Sequence, residues 1–143
     1  MKKLLILLVL IVTFNVSAQK NRERIKALKV SFITEQLDLS QQEAQKFWPI
    51  YNEYENETSE IRFKEIRSIR KEIRDNLQTM SDDDANKLIK RLNYAENKMH
   101  ELRLAFSGKL IGVIPSKKII LLKIAEEDFK RKMLDEFKNR RRG

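Results

Sequence analysis

The feature that most constrains the fold of this chain is a helix start defined by Ser40 and Glu43. The Ser40 hydroxyl can accept a hydrogen bond from the backbone amide three residues on, and the Glu43 carboxylate can reach back to the amide of Ser40. Such a capping box determines where a helix begins. Ser81 with Asp84, and later Ser116, repeat the signal. We therefore expect capped starts to divide the chain into helices.

Apolar residues that recur three or four positions apart predict helical segments on both sides of these starts. The segments cover about 21–37, 40–80, 81–110 and the residues from 114 onward. Only three glycines and two prolines are present, and 36% of the residues are charged, which is typical of long helices. No strand-like alternation is visible. The prediction is an all-α fold of long antiparallel helices, too few for a deep core and therefore an open hairpin or a dimer.

The second segment, 40–80, contains two irregularities. Pro49 lies inside it and should kink or split the helix, because the proline ring opposes the carbonyl four residues earlier. The apolar stripe also slips in register between Tyr54 and Ile66. This slip predicts a bend or a frayed turn near 57–61.

The N-terminus has the pattern of a secretory signal peptide over residues 1–18. Lys2 and Lys3 precede an unbroken apolar run, and small residues lie before Gln19, where we expect cleavage. The alternative is a membrane anchor, but the apolar run is only about half of the ~20 residues that a spanning helix needs. The prediction is therefore an exported protein with one helical domain over 19–143.

Charge is distributed unevenly along the chain. The net charge is +9, and it falls to +7 when the two lysines of the predicted signal peptide are removed. A dense basic run lies in the second segment, and its members are the candidate protein-binding residues: Arg62, Lys64, Arg67, Arg70, Lys71 and Arg74. The alternative is a solvated helix face, with Glu60–Lys64, Arg62–Glu65 and Lys71–Asp75 as pairs along it.

The inventory of reactive side chains argues against an enzyme. The chain has one histidine, His100, and no cysteine, and it lacks nucleophile, phosphate-loop and metal motifs. We expect no cofactor and no metal site, and interpret Asp82–Asp84 as a capped helix start. We expect no nucleic-acid partner, because export would take the chain away from nucleic acid. Surface binding remains, with Phe47, Trp48, Tyr51 and Tyr54 either in a binding face or in a helix–helix core.

In its helix starts the chain resembles the Spy/CpxP group of small bacterial periplasmic proteins. Members carry an LTxxQ-type motif at helix starts, usually twice. The first copy here is Leu39-Ser40-Gln41-Gln42-Glu43, and the second is Ile114-Pro115-Ser116-Lys117-Lys118. Glu43 and Lys118 stand where the family has Gln. The block that contains Phe47-Trp48-Pro49-Ile50-Tyr51 is also similar to short exported proteins of Bacteroidetes-like bacteria, described as sensors of extracytoplasmic-function sigma factors.

The resemblance implies a cradle-shaped helical homodimer in the periplasm, with a role in envelope stress. One reading is an ATP-independent chaperone that binds unfolded client proteins on a basic, partly apolar surface. A second is a dedicated sensor that binds a membrane-bound signalling partner of a sigma-factor or two-component pathway. A third is a purely structural helical protein of the envelope.

Overall fold

The structure, a computed structural model, describes the backbone of residues 2–142 and the side chains of residues 19–142. Every regular element in that part of the chain is a helix, which confirms the all-α fold. The predicted signal peptide, residues 1–18, lies outside the residues whose side chains are described, and it stays a prediction. Among the described residues, no helix combines the length and apolar character needed to cross a bilayer.

The helices begin and end close to the predicted positions, except that the first helix begins at Lys2 and not at about residue 21. Their bounds are α1 Lys2–Gln36, α2 Gln41–Glu60, a π-helical segment Ile61–Ile66, α3 Arg67–Asn76, α4 Asp82–Leu110 and α5 Ser116–Arg142. Because α2, the π-helical segment and α3 follow one another without a break, they form the single long helix that was predicted to begin at Ser40. The chain divides into two compact units, Met1–Leu39 with Ile120–Gly143, and Ser40–Ile119.

Pro49 does not split α2, which is helical on both sides of the proline. The capping box holds the helix before Pro49, and the buried side chains of Tyr51 and Thr58 hold it afterwards. The Thr58 hydroxyl donates to the carbonyl of Tyr54 at 2.7 Å, so this buried polar group is satisfied inside the helix. Packing and capping together outweigh the hydrogen bond that a proline removes.

The π-helical segment absorbs the slip in the apolar stripe. Before it, the inward residues Thr58 and Ile61 are three positions apart, and after it Ile66 and Ile69 are again three apart. Ile61 and Ile66 are five apart, which is one residue more than an α-helical turn supplies. A π-helical turn accommodates that extra residue. The predicted irregularity is therefore present, but as a wide helical turn and not as a break. It covers Ile61–Ile66, which begins where the predicted range of 57–61 ends.

The unit Ser40–Ile119 is held together by a seam along α4. Leu88, Ala95, Phe106 and Leu110 are buried, and Ala85, Leu92, Met99 and Leu102, which are partly buried, complete a repeat of three and four. That spacing keeps one face of α4 against the long helix. Ion pairs cross the seam between Arg91 and Glu72 at 2.9 Å and between Lys109 and Glu53 at 2.6 Å.

The second unit brings part of α1 beside part of α5. The rings of Phe32 and Phe129 lie 5.7 Å apart, centroid to centroid. The Lys132 ammonium lies 5.4 Å from the centre of the Phe32 ring, which is within the range of a cation–π contact. Aromatic packing thus joins the two helices in the middle of this unit.

Candidate protein-binding surface

The six predicted binding residues are all exposed. Arg62 and Lys64 belong to the π-helical segment, and the others belong to α3. In α3, Arg67, Arg70, Lys71 and Arg74 follow the spacing i, i+3, i+4 and i+7, so they share one face about 10 Å long. We call these four residues the basic stripe. The structure thus brings four of the six predicted residues onto a single face.

The apolar face of α3 lies to one side of the basic stripe. Ile69 is fully buried, and Ile66 and Ile73 are partly buried. Because α3 lies against α4 and its buried side chain is Ile69, the rotation of the helix about its axis is fixed. Each arginine of the basic stripe is therefore held at the surface by the burial of its neighbours, and not by its own contacts.

Two of the six cations already have partners within the helix. Lys64 donates to Glu60 at 2.8 Å, and Lys71 pairs with Asp75, as the sequence predicted. The third predicted pair, Arg62–Glu65, does not form in the described part of the chain. The hydrogen bond that Lys64 donates to Glu60 raises the pKa of Lys64 and lowers the pKa of Glu60. Both pairs are exposed, and exposed ion pairs of this kind contribute little to stability.

The arginines differ from the two lysines in this respect. Within the part of the chain that the structure describes, Arg62, Arg67, Arg70 and Arg74 form no ion pair with an acid of this chain. Their guanidinium groups can therefore bind carboxylates of another molecule in a bidentate manner without breaking an existing contact.

Phe63 adds an apolar contact that the sequence reasoning missed. Its side chain is 60% exposed, and it lies about one helical turn before Arg67, in line with the basic stripe. The available signal was its position between Ile61 and Ile66, off the apolar stripe. A ring at the end of a row of arginines places an apolar side chain next to basic side chains on this surface.

The aromatic residues of α2 belong mainly to the helix–helix core. Phe47 and Tyr51 are buried, and Trp48 packs edge-on against Tyr51 at 5.2 Å. The rings of Tyr54 and Phe106 stack at 4.2 Å with an angle of 8° between their planes. Of the two readings of this cluster, the packing favours the core.

The capping box at the start of α2 is present. The amide of Ser40 donates to Glu43 Oε2 at 2.9 Å, and the amide of Glu43 donates to Ser40 Oγ at 3.2 Å. The predicted cap at Ser81 is also present, since its Oγ accepts from the amide of Asp84 at 3.2 Å. The Asp84 carboxylate is bonded to Ser81 and Lys87, which fits a helix start at Asp82–Asp84.

The predicted cap at Ser116 is wrong, although a helix does begin there. Ser116 is the first residue of α5, and the carbonyl of Pro115 accepts from the amides of Lys118 at 2.8 Å and Ile119 at 3.3 Å. Pro115 therefore occupies the capping position. The turn before it uses Gly112 at φ +84°, a backbone conformation that favours glycine.

The two copies of the family-like motif meet in space. Lys118 Nζ donates to Glu43 Oε2 at 2.8 Å, and both side chains are mostly buried, with 23% and 20% of their surface exposed. The hydrogen bond from Lys118, followed by that from the Ser40 amide, lowers the pKa of Glu43. Glu43 and Lys118 are the two positions that depart from the family's Gln. The departures thus form one ion pair between the starts of α2 and α5.

His100 is exposed on α4, as expected of a surface residue. Comparisons of the chain with family models, with curated proteins and with solved structures found no match. The resemblance to the Spy/CpxP group therefore depends on the two motifs and the aromatic block alone.

Proposed function

We propose that this chain is a non-enzymatic, periplasmic envelope-stress protein of Spy/CpxP type. In this role it binds unfolded or partner proteins on the surface made of the basic stripe, Arg62 and Phe63. It acts as an ATP-independent chaperone. Its exposed side chains lie on a fixed helix, so binding requires no conformational change driven by ATP hydrolysis. The resemblance of the two motifs supports the family, and the exposed surface supports the activity.

The observation that carries the proposal is the row of unpaired, exposed arginines next to Phe63. Arginines that have no acid of their own chain attract acidic segments over several ångströms and increase the rate of encounter. Phe63 offers weak apolar contact to side chains that only an unfolded protein exposes. Both contacts are individually weak, which suits a surface that must bind many sequences and release them.

The long helices are consistent with the open, hairpin-like arrangement that the proposal includes. Glu72–Arg91 lies near the turn between α3 and α4, and Glu53–Lys109 lies near the other end of α4. Such an arrangement leaves one side of α3 uncovered along its length. We include in the proposal that two copies form a cradle-shaped homodimer.

The test is suppression of aggregation of two unrelated unfolded proteins at near-stoichiometric amounts. The variant Arg67→Ala/Arg74→Ala removes half of the basic stripe. The matched control, Lys90→Ala/Arg103→Ala, removes the same charge from exposed positions of α4. We expect the first variant to lose most of the suppression and the control to retain it.

Two outcomes would contradict the proposal. One is an absence of suppression by the unmodified protein with either client. The other is equal loss in both variants, which would mean that net charge matters and the basic stripe does not. Binding to a single membrane protein without general suppression would favour the dedicated sensor instead.

A further inference from the structure

A second basic region surrounds a groove at the end of the unit formed by α1 and α5. The groove has a volume of about 90 Å³. Its apolar lining is Ile25 and Leu28 from α1 and Met133 and Phe137 from α5. The proposed client surface uses none of these residues.

The rim of the groove is charged. Arg24 and Arg140 line it, together with Glu136. In the two stretches that carry the groove, 19–29 and 130–142, twelve residues are Lys or Arg and three are Asp or Glu. These two stretches therefore carry a net charge of +9, whereas residues 62–75, which contain the basic stripe, carry +3 from six basic and three acidic residues.

Apolar side chains are exposed among these cations. Phe137 is 52% exposed, Leu134 is 51% exposed and Leu28 is 41% exposed. Leu134 and Phe137 are three residues apart on α5 and therefore neighbours on one helix face. Apolar side chains within a dense basic region are typical of proteins that bind the surface of an anionic bilayer. The lipid headgroups pair with the basic side chains, and the apolar side chains insert at the boundary of the acyl chains.

We propose that this end of the α1–α5 unit binds the surface of an anionic lipid bilayer. Charge complementarity selects this occupant, because the region is almost uniformly basic over both helices. An acidic protein would satisfy the cations but would leave Leu134 and Phe137 in water. The predicted export places the protein in a compartment that is bounded by membranes. The inference does not depend on the client-binding role, since it uses different residues in the other unit.

The experiment uses the protein purified after export, with its N-terminus determined by mass spectrometry, so that an uncleaved apolar segment does not contribute. Flotation with vesicles of phosphatidylcholine is compared with flotation with vesicles that also contain phosphatidylglycerol. We expect binding to the anionic vesicles only, and weaker binding as the salt concentration rises.

Three double variants locate the contact. We expect Arg24→Glu/Arg140→Glu to weaken binding to the anionic vesicles by roughly tenfold or more. We expect Leu134→Ser/Phe137→Ser to weaken it as well, although the charge is unchanged. The control Arg67→Glu/Arg74→Glu, in the basic stripe, should bind vesicles as the unmodified protein does. Helical content by circular dichroism checks the fold of each variant, and Arg141→Glu/Arg142→Glu at the exposed end of α5 replaces the first variant if that one unfolds.

The proposal is overturned by equal binding to both kinds of vesicle, or by equal loss in the basic-stripe control. It is also overturned if Leu134→Ser/Phe137→Ser binds anionic vesicles unchanged, or if only a soluble acidic protein binds at Arg24 and Arg140. Suppression of aggregation is measured on the same variants. We expect Arg24→Glu/Arg140→Glu to retain it, so failure of this proposal is distinguishable from failure of the proposed function.

Discussion

Single side chains determine where the helices begin. We expect Ser40→Ala to lower the free energy of unfolding by about 1 kcal/mol, because the amide of Glu43 loses its acceptor at the helix start. Ser116→Ala is the matched control, since Ser116 lies inside α5 and Pro115 occupies the capping position. Urea unfolding followed by circular dichroism measures both. An equal loss in the two variants would show that the cap at Ser40 contributes nothing specific.

The ion pair between Glu43 and Lys118 can be tested separately from the cap. Glu43→Gln keeps a side chain that can complete the capping box but removes the charge. We expect each single change, Glu43→Gln or Lys118→Gln, to destabilise the protein. The double variant should lose less than the sum of the two, because each single variant leaves the other partner uncompensated. Additive losses in urea unfolding would contradict a direct interaction.

The same pair predicts a pH dependence. The pKa of Glu43 in the folded protein is below its ordinary value of 4.5, so its contribution to stability is present above that value and is lost as the pH falls through the lowered pKa. The difference in unfolding free energy between the unmodified protein and Glu43→Gln should therefore be largest at neutral pH and shrink as the pH falls below 4.5. A constant difference across this range would contradict the assignment.

Residues close in sequence were predictable, and residues far apart were not. The caps at Ser40 and Ser81 involve partners three residues away, so the local sequence contains all the required groups. The contact between Glu43 and Lys118 joins residues 75 positions apart, and only packing brings them together. Ser116 was misassigned because it is already the first residue of α5, and the carbonyl of Pro115 accepts the first hydrogen bonds of that helix.

At the scale of helices, the π-helical segment explains how one long helix keeps its apolar face on α4. We expect deletion of Glu65, an exposed residue of this segment, to change the unfolding free energy by less than about 1 kcal/mol. The deletion removes the extra residue between Ile61 and Ile66, so a regular α-helix could carry the same stripe.

Deletion of Lys90 from α4 is the control for this prediction. No extra residue exists between Leu88 and Leu92, so removing one rotates the rest of α4 by about 100° and takes its apolar face off the seam. We expect a loss of more than about 3 kcal/mol, or failure to fold. Thermal unfolding by circular dichroism compares the two. Similar losses would mean that the π-helical segment does not act as the register correction.

The slip in the apolar stripe was visible in the sequence, but its structural form was not. A frayed turn, a bend and a wide turn all fit the spacing from Tyr54 to Ile66. Which of them forms depends on how both halves of the helix pack on α4, and this is not a local property. Phe63 was missed for a related reason, because its place beside the basic stripe depends on where the helix widens.

On the scale of the whole molecule, large apolar side chains are exposed to water at many positions, and this exposure needs an explanation. Ten large apolar side chains in the described residues are more than half exposed, among them Tyr94 at 74% and Ile111 at 69%. We expect the exported protein to form a homodimer, because pairing would remove part of this surface from water. Sedimentation over a range of protein concentrations measures the mass. A monomer at every concentration would contradict this expectation.

The contact between Glu43 and Lys118 also has a consequence for how these two positions vary. The acid accepts from the base at 2.8 Å, across 75 positions of sequence. A change at either position leaves the other charge without its partner, so a chain that shares this fold should replace the two residues together.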